Sequence, residues 1–192
     1  MLQKTIQFII ICVLSVGTLF AEQTKQDSST YFKCYVGSTL WLLWNFIPED
    51  TNPPELVQLH FGYRITPKDV VSLEFKTWRY AWPLGIPYGK SFQAPGENYP
   101  GYVKAFGIGL VYQRFWWKGA YLSIDAGNML QKYMDKDNKH IQNGYQLFMT
   151  YRLGYHYQFF KNRFFIEPSV AITNRTIKTN DPESFSKMEE DR

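Results

Sequence analysis

Apolar and polar residues alternate with a period of two along most of this chain, a pattern that predicts half-buried strands. The clearest run is 145–159. Its odd positions (Tyr145, Leu147, Met149, Tyr151, Leu153, Tyr155, Tyr157, Phe159) are apolar or aromatic, and its even positions (Gln146, Phe148, Thr150, Arg152, Gly154, His156, Gln158) are mostly polar or small. The next run repeats this in opposite parity: Phe164, Ile166, Pro168, Val170 and Ile172 against Phe165, Glu167, Ser169, Ala171 and Thr173. Upstream, Val57, Leu59, Phe61, Tyr63 and Ile65 oppose Gln58, His60, Gly62 and Arg64. Val71, Leu73 and Phe75 oppose Ser72, Glu74 and Lys76. Phe106, Ile108 and Leu110 oppose Ala105, Gly107 and Gly109, and Leu122, Ile124 and Ala126 oppose Ser123, Asp125 and Gly127. A first strand, about Tyr31 to Phe46, is less regular, with Val36, Leu40, Leu42 and Trp44 on its more apolar face. Seven strands are predicted, and no helical periodicity of useful length follows Gln23.

The connections alternate in length. Short turns fall at 66–69, 117–119 and 161–162, and long ones at 47–54, 83–101 and 131–144. That is the layout of an antiparallel up-and-down meander of the outer-membrane barrel type. Because paired residues share a face, turn length fixes register. A two-residue turn at Lys161-Asn162 sets His156 opposite Glu167 and Gly154 opposite Ser169. A three-residue turn at Trp117-Lys118-Gly119, with Gly119 left-handed, sets Gln113 opposite Ser123 and Val111 opposite Asp125.

With 192 residues the chain is sized for one domain. It is 18% aromatic, which excludes a disordered tail, and its mean hydropathy of −0.33 with no long apolar run beyond the first twenty residues excludes a helical membrane protein. The net charge of +4 is scattered, so no nucleic-acid partner is expected. Lys4, the apolar stretch Ile6–Leu19 and Phe20-Ala21 before Glu22 have the layout of an export signal cut after Ala21, although Leu19 is larger than usual there. The expected organisation is a signal peptide at 1–21, a short linker at 22–30, an all-β barrel domain at 31–177 and a polar tail at 178–192. Cys12 falls inside the signal, leaving Cys34 without a disulfide partner and expected to be a small buried apolar residue.

Alternation alone does not say which face points out. An inward apolar face would make a secreted carrier of a greasy ligand; an outward one makes a membrane barrel. Three features favour the second. The other face holds Arg64, Lys76 and Arg152 against Glu74, Asp125 and Glu167, three charges of each sign, as a closed lumen requires. It is rich in small residues (Gly62, Ala105, Gly107, Gly109, Gly127, Gly154, Ala171), as a narrow lumen requires. Aromatics gather near strand ends: Trp78, Tyr80 and Trp82 at one, and Tyr112, Phe115, Trp116, Trp117, Tyr157, Phe159 and Phe160 at the other. Arg114 is the misfit: its parity points it at lipid, where it either snorkels to the headgroups or is turned inward by a bulge.

The stretches PGENYPGY (95–102), FGIGLVYQRFWWKG (106–119) and FKNRFFIEPSVAIT (160–173) resemble the small, mostly uncharacterised outer-membrane β-barrel proteins of Gram-negative bacteria, of the OmpA/OmpX-like eight-stranded type. The resemblance covers most of the chain after residue 21. It implies an outer-membrane location, eight strands, no enzymatic activity and no cofactor. It also implies outer-membrane lipid and the barrel-assembly machinery as partners. The chain departs from that pattern at its end, where Thr176–Arg192 is polar and lacks alternation. A seven-stranded sheet would keep open edges, so the expectation is a gapped barrel with a loose or partly helical tail after Ile177, and with a chain cut short before its last strand or a partner strand or dimer sealing the seam.

The candidate chemistry lies in the predicted lumen network: Arg64, Glu74, Lys76, Asp125, Arg152, His156 and Glu167. His156 with Glu167 and Ser169 has the residue types of a lipid hydrolase, but lumen parity near a short turn is the wrong place for one. A structural network is expected instead. No metal is expected: His60 and His156 lack a ligand cluster, and the 134–140 run is a solvated loop tip rather than a calcium loop. The long 83–101 loop, with Tyr88, Phe92 and Tyr99 among four prolines, is the candidate outer-loop binding surface, with a shield over the barrel mouth as the equal alternative. Eight strands leave a lumen that side chains fill, so a conducting pore is not expected.

Overall fold

A computed structural model describes residues 13–26, 29–46, 55–81 and 101–190 of the chain. They form one antiparallel sheet: β1 (Val13–Gln26), β2 (Ser29–Thr39), β3 (Val57–Arg64), β4 (Asp69–Ala81), β5 (Gly101–Trp117), β6 (Ala120–Asp135), β7 (His140–Tyr155), β8 (Tyr157–Phe159) and β9 (Phe164–Thr179). A 3-10 helix at Leu40–Phe46 follows β2, and one α-helix, α1 (Glu183–Glu190), follows β9. Each strand pairs with its neighbour in sequence, with β8 a short extension beside β9. This is the predicted all-β meander, and the strands from β3 to β9 fall on the predicted segments.

What flanks the gap is where expectation and structure part. Residues Val13–Gln26, read above partly as an export signal, form a strand between β2 and β9. Val13–Thr18 pair with Phe164–Ser169, so the ladder closes on itself at the end bearing the short turns. Towards the other end, Val170–Thr179 pair with β7 but not with β1, so the seam stays unpaired along that half. The structure therefore adds one strand to the seven expected, and the expected gap persists as a seam paired at one end and open along the rest. The physical reason is compositional. An apolar run containing Val13, Val16 and Thr18 suits a strand as well as a leader, and two open edges are costly. The expected linker at 22–30 is likewise strand, because Gln23–Gln26 pair with Ser29–Phe32 as a hairpin.

Three further boundaries move. The first predicted strand stops at Thr39, and Leu40–Phe46 turn into the 3-10 helix, which is clamped to β3 where Asn45 bonds both backbone groups of Leu56 (2.8 and 2.9 Å). The predicted long connection 131–144 is mostly strand: β6 runs to Asp135, β7 starts at His140, and the Asp135 carboxylate accepts from the amides of Asp137 (2.9 Å) and Lys139 (2.8 Å) to make a tight turn. The polar tail contains a helix, α1, in keeping with the expected partly helical tail. Turn register holds. Val111 faces Asp125, Gln113 faces Ser123 and Gly154 faces Ser169. The 117–119 turn closes differently from expectation. Lys118 (φ 40°) and Gly119 (φ 99°) make a two-residue turn, and a bulge between Phe115 and Trp117 absorbs the extra residue.

Side chains sort by parity. Phe106 (50% exposed), Leu110 (59%), Leu122, Leu130, Tyr151 and Ile172 point outward, whereas Glu74 (1%), Gln113, Asp125, Gln131 and Gln146 are buried inside the curled sheet. Cys34 is exposed, contrary to the expected buried thiol, because its parity in β2 opposes that of buried Tyr35.

Candidate functional site

Two polar networks and two aromatic clusters fill the lumen. At mid-height, β3, β4 and β6 bring His60, Glu74, Lys76 and Asp125 together, because each occupies an inward parity position in a register that stacks them. Lys76 contacts Glu74 directly and reaches Asp125 at 3.5 Å. Glu74 also lies 3.2 Å from His60 and accepts a hydrogen bond from Gln58 (2.7 Å). One lysine thus sits between two carboxylates, with a histidine beside the more buried one.

Nearer the short turns, His156 donates through Nδ1 to Glu167 (2.7 Å), and Gln113 donates to the same carboxylate oxygen (3.0 Å). The inferred cross-strand pairing is therefore realised. His156 is wedged between Phe165, stacked at 4.9 Å, and the edge of Phe115 at 5.5 Å. Its Nε2 is buried without a hydrogen-bond partner, and Ser169 instead accepts from Arg152 (3.0 Å). The geometry orients an imidazole but aims it at no hydroxyl. Arg64 donates to the Pro67 carbonyl (3.0 Å) and lies 4.7 Å over the Phe115 ring. All seven predicted lumen residues thus face inward. The structure divides them between a Glu74–Lys76–Asp125 group and a His156–Glu167 group, with Arg64 and Arg152 held by a carbonyl and a hydroxyl.

Aromatic packing seals both levels. Phe32, Tyr35, Val70, Phe115, Tyr121 and Phe165 form a buried cluster at the short-turn end. Tyr80, Val103, Ala105, Met129, Tyr133 and Phe185 form another at the far end, with Trp78 against it. This corrects part of the girdle reading. Trp78, Tyr80 and Phe115 fill the lumen rather than facing out, because their positions share the parity of Glu74 and Gln113. Trp116, Trp117, Tyr157 and Phe160 remain on the outside, and Trp82 lies outside the described residues. The glycines make room for the lumen rings: a Cβ on Gly62 would come within 2.1 Å of the Tyr35 ring, and one on Gly154 within 2.5 Å of Tyr121.

Sequence reading missed the far plug. Helix α1 folds Phe185 back into the mouth of the sheet, fully buried and 5.0 Å edge-on to Tyr133. The Tyr133 hydroxyl donates to Asp181 (2.5 Å), which Lys178 approaches to 2.6 Å. The signal was one aromatic in a polar tail, Phe185 just after Asp181-Pro182, a residue pair that starts helices.

Arg114 points outward and pairs with Asp69 at 2.6 Å, its directly opposed residue on β4. The bulge lies beyond it and does not turn it in. Asn128 also faces outward, and Tyr145 donates to it (2.7 Å). The proposed outer-loop residues Tyr88, Phe92 and Tyr99 lie outside the described residues. Among the described residues no group of three or more His, Cys, Asp or Glu could hold a metal ion. No known protein family, curated protein or solved structure matches the chain.

Proposed function

We propose that this chain is a bacterial outer-membrane β-barrel protein with a structural or surface-binding role, similar in kind to the small Gram-negative barrels its sequence resembles and exported by a leader whose cleavage after Ala21 takes Val13–Thr18 out of the seam. The observation carrying this reading is the inside-out distribution of polarity. A soluble barrel buries its apolar face. Here a sheet with Glu74 and Asp125 buried inside presents Leu59, Phe61, Leu73, Ile108, Leu110, Ile124 and Val170 to the surroundings. Such a surface is stable in hydrocarbon and would aggregate in water.

The dimensions agree. Outward residues of β5 are apolar or aromatic from Phe106 to Tyr112 and again at Trp116, with Arg114 neutralised by Asp69 and Lys104 beyond Phe106. At ~3.3 Å per residue and a tilt of about 45°, that stretch spans roughly 24 Å, the height of the apolar band in membrane barrels. The lumen is occupied by ion pairs and rings, which supports a closed structural barrel over a pore or a carrier of an apolar ligand. Catalysis gets no support from His156, whose free nitrogen faces no nucleophile among the described residues.

Cell fractionation tests the reading. The protein should sediment with outer membranes, resist extraction by alkaline carbonate and dissolve only in detergent. Recovery in the soluble fraction would replace the membrane barrel with a secreted protein.

A further inference from the structure

The two ends of the sheet differ in how their cations are answered. At the long-connection end, Lys104 and Arg79 share Glu55 (3.0 and 3.8 Å), Lys178 meets Asp181, and the exposed Lys132, Lys136 and Lys139, which make no ion pair among the described residues, are interleaved with Asp135 and Asp137. At the short-turn end, Lys68, Lys118, Lys161 and Arg163 are exposed and make no ion pair among the described residues. The one carboxylate in those turns is consumed. Asp69 accepts from Thr66 (2.5 Å), Tyr112 (2.7 Å) and Arg114 (2.6 Å). Glu167, inside the wall, is held by His156 and Gln113.

Exposed aromatics stand beside these cations. Trp116 and Trp117 are about three-fifths exposed and Phe160 is 73% exposed. Lys118 Nζ lies over the Trp117 ring, 5.6 Å from its centroid, an exposed cation–π contact that sets the charge beside the indole. Three turns hold these groups in place: Thr66 Oγ1 closes 66–69, Lys118 and Gly119 are left-handed, and Phe160, Lys161 and Asn162 are left-handed.

We infer that this rim binds the phosphodiester headgroups of anionic phospholipids, with the exposed rings in the interfacial layer and Lys68, Lys118, Lys161 and Arg163 reaching the phosphates. The inference rests on the membrane reading and adds a lipid class and a side to it. A guanidinium fork suits two phosphate oxygens, and three flexible ammonium groups suit headgroups at variable depth. A zwitterionic headgroup offers the same phosphate but carries its own cation, so the rim discriminates by net charge.

The test uses tryptophan quenching. The full-length protein is placed in phosphatidylcholine bilayers doped with either brominated phosphatidylglycerol or brominated phosphatidylcholine, which quench the rim tryptophans on contact. The expected result is at least fivefold preference for the anionic lipid at low salt, falling toward unity in high salt. The Lys68→Gln, Lys118→Gln, Lys161→Gln, Arg163→Gln variant should lose that preference, while Lys132→Gln with Lys136→Gln, at the opposite end, should keep it. Equal quenching by both lipids in the unmodified protein, or a preference surviving in the fourfold variant, overturns the inference and leaves the membrane reading standing. No quenching by either lipid overturns both.

Discussion

Lys76 carries the balance of the mid-lumen: among the described residues it is the one cation that touches both Glu74 and Asp125. A buried carboxylate is tolerated only while paired, so neutralising one partner costs more than replacing both. Glu74→Gln should destabilise the protein by roughly 3 kcal/mol, because Lys76 then keeps only the longer contact to Asp125. Adding Lys76→Met should not repair the loss, since Asp125 is then stranded in turn. Adding Asp125→Asn as well should recover most of it. Urea unfolding in detergent, followed by tryptophan fluorescence, checks this; a mild Glu74→Gln effect would mean that lumen water carries the charge. Gly154 makes a second test. Gly154→Val should cost about 1–3 kcal/mol by driving Tyr121 off its site, and should cost far less in a Tyr121→Ala background. Equal costs in both backgrounds would show that the glycine is needed for its backbone and not for the ring above it.

At the scale of elements, α1 is held chiefly by one side chain. Phe185→Ala removes the ring that fills the mouth beside Tyr133, and the Tyr133–Asp181 hydrogen bond at the helix entrance then stands exposed to water. The expected outcome is local release with the sheet intact: trypsin should cut after Lys187 at least tenfold faster, with little change in global unfolding. An unchanged cleavage rate would mean that Pro182 and Asp181 hold the segment without the ring. These elements also show what a sequence makes legible. Period-two alternation gave the strands from β3 onward because one face of each is consistently apolar, and parity placed Arg64, Glu74, Lys76, Asp125, Arg152, His156 and Glu167 inside. It also contained the inward placement of Trp78, Tyr80 and Phe115, hidden when aromatics are read by distance from a turn instead of by face. The 3-10 helix at 40–46 was not legible, since Leu40, Leu42 and Trp44 keep a strand-like spacing, while the Asn45 side chain that clamps the helix bonds to Leu56 eleven residues on. Nor was the partner of Arg114, which lies 45 residues away and emerges only from the β4–β5 register.

For the whole molecule, closure depends on a segment with two competing uses. Val13–Thr18 supply all the pairing between β1 and β9, and a cut after Ala21 would remove them while leaving the Gln23–Gln26 hairpin strand against β2. Composition cannot separate the two uses, because a leader needs an apolar run and a strand facing hydrocarbon is served by one too. Energetics can. Without Val13–Thr18, the facing edges of β2 and β9 expose unpaired amides and carbonyls, and on the proposed membrane reading each group left unsatisfied in hydrocarbon costs several kcal/mol. The polypeptide 22–192, refolded in detergent beside 1–192, should therefore unfold at lower urea and lose the compact, heat-sensitive band on gels. A synthetic peptide of residues 13–26 added in excess should restore both, since it supplies the missing ladder without the covalent link. If 22–192 matches the full chain unaided, β2 and β9 have paired with each other and the sheet closes one strand smaller, with Tyr35 and Phe165 moved from across one strand to direct neighbours. If the peptide fails to rescue a weakened 22–192, the covalent hairpin at 26–29 is what sets β1 in place, and export by cleavage would require another strand to fill the seam.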